Sequence, residues 1–216
     1  IFSGAGLPLN LPQYLTKGAK TKLVPIVSSG RAAGILCKKW KELYNYLPDA
    51  FVVEGPKAGG HLGFKRNQID NPDFELQKLV PDVVTHVKPF EEQFNVSIPV
   101  IAAGGIYTGA DIKEIMDLGA SGVQMGTRFV TTNECDASEK FKQSYIDSTE
   151  GDMEIIQSPV GMPGRAIRNE FIEKVNRGEK RPIKCPYKCL KTCDIEKTPY
   201  CIFAALMSAM KGNFFN

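Results

Sequence analysis

The 216-residue chain is 43% hydrophobic and 24% charged, the balance of an ordinary globular domain with a sizeable core and not of a disordered or membrane-embedded chain. Its formal charge of +3 comes from basic residues spread along the sequence, without the basic stripe that marks a nucleic-acid partner. No apolar run approaches the roughly 20 residues that cross a bilayer, and no charged start, apolar segment and cleavage site marks export, so the expected compartment is the cytosol.

An apolar run ending in glycine or serine, followed by a helical stretch, recurs along the chain. This alternation predicts parallel strands joined by crossover helices. The first run, IFSGAGLP from Ile1, begins inside a strand without an initiator methionine, which predicts that further chain precedes it. KLVPIVSSG from Lys22 is the second. A helix starting near Arg31 then places Leu36, Trp40, Leu43 and Leu47 on one apolar face. DAFVVEG from Asp49 is the third strand, and the segment from Leu62 to Asn95 is too long for an ordinary strand-to-helix connection, as expected of an insertion at an active-site face. IPVIAAGGI from Ile98 is the fourth strand. Thr108 and Asp111 make a capping-box start for a helix that carries Ile112, Ile115 and Met116 and ends at Gly119. GVQMGTRF from Gly122 is the fifth strand.

From Cys185 onward the composition changes, and an appendage of residues 185–216 is expected to follow a main domain of residues 1–184. Six cysteines in a chain of this size with no export signal read as thiols, not as a disulfide framework. Cys185, Cys189, Cys193 and Cys201 have enough thiolates for one tetrahedral ion. On a helix, however, the first three would lie along one face instead of wrapping a point. Reduced structural thiols are therefore expected there, and no metal site.

Two strand ends suit an anion. AAGGI places Gly104 and Gly105, and MGTRF places Gly126 and Thr127, where backbone N–H groups can approach a phosphate and the next helix adds a favourable dipole. Gln124, just before the second loop, offers an amide to a polar ring edge. The stretch VEGPKAGGHLG combines Glu54, Gly59, Gly60 and His61 after a strongly apolar strand, so that a group able to exchange protons near neutrality is open to a ligand. His61 is the expected chemical centre, and His86 the expected surface or satisfied polar histidine. No second ligand stands at metal spacing around His61. Ser28 and Ser29 end a strand without the GxSxG elbow of a hydrolase.

In this order, SGAGLP, PIVSSGRAA, AGGHLG, AAGGI, QMGTRF and SPVGMPGRAIRN resemble the nitronate monooxygenase (2-nitropropane dioxygenase) family, whose relatives include FMN-dependent enoyl-acyl carrier protein reductases. The resemblance implies a (β/α)8 barrel, an α/β fold, of which this chain would hold strands four to eight and lack the first three. It also implies non-covalent FMN, with the phosphate near Gly104, Gly105, Gly126 and Thr127, the flavin lined by Gly59, Gly60 and Gln124, and His61 at its reactive side. Glu54 takes a place where many members carry glutamine. The implied reaction is oxidation of a small nitronate or nitroalkane with O2, with His61 as base. The alternatives are an NAD(P)H-dependent enoyl thioester reductase and a non-catalytic FMN-binding barrel; an oligomer is compatible with each.

Overall fold

The computed structural model describes residues 1–179, 185, 189 and 193–214. Eight strands run in chain order: β1 (Phe2–Ser3), β2 (Val24–Val27), β3 (Phe51–Glu54), β4 (Gly60–His61), β5 (Val100–Ala103), β6 (Gly122–Gln124), β7 (Met153–Gln157) and β8 (Pro163–Ile167). The α-helices are α1 (Gly30–Tyr44), α2 (Leu76–Phe94), α3 (Gly109–Asp117), α4 (Thr127–Val130), α5 (Glu139–Asp147), α6 (Glu170–Asn176) and α7 (Ile202–Met210). The chain divides into two compact units. One comprises Ile1–Ala58 and Gly63–Met125, the other Gly59–Leu62 and Gly126–Asn216. The boundary expected between residues 184 and 185 adjoins residues 180–184, which lie outside the described residues.

In the first unit the five expected strands form one parallel sheet in the order β1-β2-β3-β5-β6. β3 sits at its centre, and Phe51, Val52 and Val53 are wholly buried. Strands covered on both faces are continuously apolar for this reason. Val52 packs with Val24, Ala50 and Ala103 on one face; alternation sends Phe51 and Val53 to the other.

Helix α1 opens with the Ser29 side chain accepting from the Ala32 N–H and closes at Asn45 in a left-handed conformation. Its buried face is Gly30, Ala33, Leu36, Cys37 and Trp40. Leu43 is 61% exposed and Leu47 lies beyond the helix end, so the expected stripe is correct only over its first half. At about 100° per residue Leu43 lies roughly 20° from Leu36, so rotation alone does not expose it; it stands in the last turn of α1, one residue before the helix ends at Tyr44. The segment 62–95, expected as an insertion, holds the longest helix, α2, which buries Leu76, Leu79, Val80, Val83 and Val87. Pro81 and Pro89 lie inside it, each removing a helical hydrogen bond. Thr108 and Asp111 form the expected capping box of α3, and Gly119 follows with φ +103°. Ile115 is buried while Met116 is 41% exposed.

The second unit contains a three-stranded antiparallel sheet in the order β4-β8-β7. Among the described residues no helix is long and apolar enough to cross a membrane.

Helices α1 and α2 meet at Gly30. Its N–H donates to Asp82 Oδ2 at 2.6 Å, and the His86 ring contacts the Asp82 carbonyl oxygen and carboxylate at 2.8 and 3.1 Å. A Cβ on Gly30 would stand 2.5 Å from the Asp82 carbonyl oxygen. Gly30→Ala is therefore expected to cost about 1–3 kcal/mol by overpacking, a fall of roughly 3–10 °C in Tm; thermal unfolding followed by circular dichroism measures it.

Candidate functional site

His61 is held in the second unit by a two-residue strand. Gly60 pairs with Arg165 and His61 with Gly164 in antiparallel register, and the Leu62 N–H donates to the Pro163 carbonyl at 2.9 Å. Gly60 adopts φ +73°, the left-handed region glycine enters without strain. A Cβ at Gly59 or Gly60 would meet nothing within 4 Å, so the backbone beside His61 faces open space.

The ring of His61 has a partner that the sequence did not announce. Its Nε2 lies 2.7 Å from Ser158 Oγ, and Ser158 is 4% exposed. Ser158 follows β7 in a tight turn: its N–H donates to the Met162 carbonyl at 2.9 Å, the Gly161 N–H donates to the Ser158 carbonyl at 3.0 Å, and the Val160 N–H reaches Ser158 Oγ at 3.4 Å. The turn fixes the hydroxyl, and the hydroxyl fixes one ring nitrogen. Ser158 opens the motif SPVGMPGRAIRN, so the available signal was a motif without an assigned chemical role. Burial pushes the His61 imidazole below its ordinary value. The ring is therefore neutral at pH 7, with Nδ1 as its second nitrogen.

In the first unit a row of residues crosses the carboxyl ends of three strands. Glu54 of β3 is in register with Ala103 of β5, and Ala103 with Gln124 of β6. Glu54 is half-buried, has no hydrogen-bond partner among the described residues, and burial pushes its carboxyl up. Gln124 is exposed. In parallel α/β sheets ligands collect outside this strand end. Gly104 and Gly105 follow directly, at φ +96° and +82°. Neither of their N–H groups has a partner among the described residues, and successive free N–H groups of this kind form an anion-binding nest.

Two features qualify the expected phosphate cradle. A Cβ on Gly105 would lie 3.0 Å from Lys57 Cβ, and one on Gly104 the same distance from the Ala58 nitrogen. The fold itself thus demands glycine at both positions. The N-terminus of α3, expected to add its dipole, already holds the Asp111 carboxylate, which accepts from the Tyr107 and Thr108 N–H groups at 3.0 and 2.7 Å. Gly126 caps the four-residue helix α4, whose first residue is Thr127, and a Cβ at Gly126 would meet nothing within 4 Å.

A family model described as nitronate monooxygenase matches residues 1–210. The chain belongs to the nitronate monooxygenase family. A probable nitronate monooxygenase of Staphylococcus haemolyticus (strain JCSC1435) is 38% identical over 152 residues, 69% of this chain and 40% of the relative. One of Staphylococcus aureus (strain Newman) is 41% identical over 132 residues, 61% of this chain and 35% of the relative. Among solved structures, FabK from Thermotoga maritima superposes with TM-score 0.62 at 31% identity, covering 82% of this chain and 49% of that one. Nitroalkane oxidase from Streptomyces ansochromogenes gives TM-score 0.55 at 26% identity, covering 71% and 40%. This family member therefore spans less than half the length of the relatives it matches.

The low His61 value has a direct consequence. The unfolded chain takes up this proton near pH 6.5, the folded chain only at lower pH. Stability from the neutral ring is full above about pH 6.5 and falls as pH drops through the folded value. An imidazole titration by NMR is expected to place the His61 midpoint below the ordinary imidazole value of about 6.5, and a midpoint above it would refute the burial argument.

Proposed function

We propose that this chain forms the catalytic portion of an FMN-dependent oxidoreductase that oxidises small nitronates or nitroalkanes with O2, with His61 as general base. The observation that carries the reading is the His61–Ser158 pair. A neutral imidazole tied through Nε2 to a buried hydroxyl keeps a fixed orientation, and when Nε2–H donates to Ser158 Oγ the lone pair of Nδ1 is left to accept a proton. Family membership supports the substrate class.

Each unit by itself offers features suited to a flavin nucleotide: the first, free N–H groups at Gly104 and Gly105 and an unpartnered Glu54 at the same strand ends as Gln124; the second, open backbone at Gly59, Gly60 and Gly126. In this reading Glu54, Gln124, Gly59 and Gly60 contact the isoalloxazine, while Gly104, Gly105, Gly126 and Thr127 hold the phosphate. Bound FMN supplies the electron-accepting chemistry. The chain's own part is to orient the substrate anion, take the carbon-bound proton of a nitroalkane on Nδ1, and hold that proton while Ser158 keeps the ring from turning.

The sheet order supports the (β/α)8 reading. Its five parallel strands succeed one another in sequence without reversal, as in a barrel wall; a doubly wound sheet would reverse direction at a switch point.

His61→Asn is expected to leave flavin bound and to lower turnover with a nitroalkane by about 10²-fold. The wild-type kcat/KM should rise with pH through a limb below about 6.5, where the ring loses its proton. Unchanged turnover with bound flavin would remove His61 as the base, and bound flavin with no wild-type turnover would favour a non-catalytic flavin-binding role. Rapid anaerobic bleaching by NADH or NADPH would favour the enoyl thioester reductase.

Gly59→Val offers a clean test of flavin contact, because no neighbouring atom obstructs the new side chain. The variant is expected to melt within about 2 °C of wild type, as an unobstructed surface change does, yet to lose most of its flavin on purification. Full flavin content would place the cofactor elsewhere.

A further inference from the structure

Lys57 is a cation that the fold holds in place and leaves without a counter-charge. It lies in the turn after β3, where the Ala58 N–H donates to the Gly55 carbonyl at 3.1 Å. Its side chain runs across Gly105: a Cβ built on that glycine would stand 3.0, 3.6 and 3.2 Å from the Lys57 Cβ, Cγ and Cδ. The aliphatic stem is thus laid along the Gly105 backbone, and the ammonium follows Cδ by a single methylene. Lys57 is exposed, and among the described residues its ammonium has neither a carboxylate nor a hydrogen-bond partner.

The Gly104 and Gly105 N–H groups are free as well, and these two glycines line one cleft of the first unit together with Lys57. Successive N–H groups attract an anion through partial charges, and an ammonium beside them adds a full one. The same cleft carries Glu75, Asp111 and Glu114. The Asp111 carboxylate is already held by the Tyr107 and Thr108 N–H groups. Glu75 and Glu114 are exposed, where solvent and salt weaken their field, whereas the Lys57 stem is laid over the free donors themselves. Two donors and one uncompensated cation at the glycine turn match a phosphomonoester, whose charge at pH 7 is about −1.5 to −2.

We propose that the Lys57 ammonium is the counter-cation of the flavin phosphate, and that through it this chain selects FMN over dephosphorylated flavin. The inference rests on the flavin reading above and deepens it, since the backbone donors alone carry no full charge. Lys57 acts on the cofactor's phosphate and takes no part in the proton transfer at His61. A lysine kept only to cover Gly105 would need its methylenes and not its ammonium. Methionine retains an unbranched apolar stem and lacks the charge, so Lys57→Met separates the two roles.

The test is flavin binding by the full chain, measured by equilibrium dialysis against FMN and, in parallel, against riboflavin. Lys57→Met is expected to weaken FMN binding about tenfold or more, as loss of a hydrogen bond between charged groups does, and to change riboflavin affinity by less than about twofold, as an exposed substitution does. Lys57→Arg should restore most of the FMN affinity, because it keeps a full charge and its donors. The proposal is overturned if Lys57→Met binds FMN as tightly as wild type, or if it weakens FMN and riboflavin alike, which would assign the side chain to packing. If the wild-type chain binds neither flavin, the flavin reading itself fails, and Lys57 is then judged by inorganic phosphate. Broadening of the phosphorus NMR resonance by wild type but not by Lys57→Met would uphold the lysine as a phosphate ligand; equal broadening by both, or by neither, would overturn it.

Discussion

The first unit depends on a single constraint, the complete burial of β3 between β2 and β5. A strand hydrogen-bonded on both edges and covered on both faces has no solvent for a polar group, so Phe51, Val52 and Val53 are apolar without alternation. The first polar side chain becomes affordable only where the strand ends. That residue is Glu54, and the neighbouring strands end in the same register at Ala103 and Gln124. The chemistry-bearing row is thus a consequence of where the core stops.

Local backbone geometry does comparable work at His61. A two-residue strand has little pairing energy of its own, and β4 persists because β8 is already paired along its length with β7. Gly164 stands opposite His61, where a Cβ would make an ordinary contact of 3.4 Å with the Gly60 carbonyl oxygen. The β7–β8 connection then carries Ser158 to the imidazole. One hairpin therefore both anchors the histidine backbone and orients its ring, so a change in that hairpin acts on the ring without touching substrate.

Much of this was legible in the sequence because the signals were local. Five continuous apolar runs became five parallel strands, the pair Thr108 and Asp111 became a capping box, and Gly119 ended its helix. What was missed depended on partners distant in sequence. Ser158 is 97 residues from His61, a separation no local pattern spans. Helix α2 lay inside a segment read by its length alone as an insertion, and it tolerates Pro81 and Pro89 because Pro89 is exposed and Pro81 half-buried, where water can satisfy the carbonyls they leave unpaired. Leu43 was assigned to the core by spacing alone, although it stands in the last turn of α1, beyond Trp40, the last buried residue of the helix.

Position 54 shows how one atom alters the demands on a site. An amide there would offer a donor and an acceptor at every pH. A carboxylate offers acceptors only, and burial without a partner disfavours its charge, which is the direction in which Glu54 is pushed. Once protonated, the same side chain regains a donor and matches the amide. The cost of burying Glu54 thus moves it toward the hydrogen-bonding character of an amide, and a ligand edge that accepts a hydrogen bond would favour the protonated form further. A ligand edge that donates would do the opposite, restoring the carboxylate. The occupant of the strand ends therefore sets the protonation state of Glu54 as much as Glu54 selects the occupant.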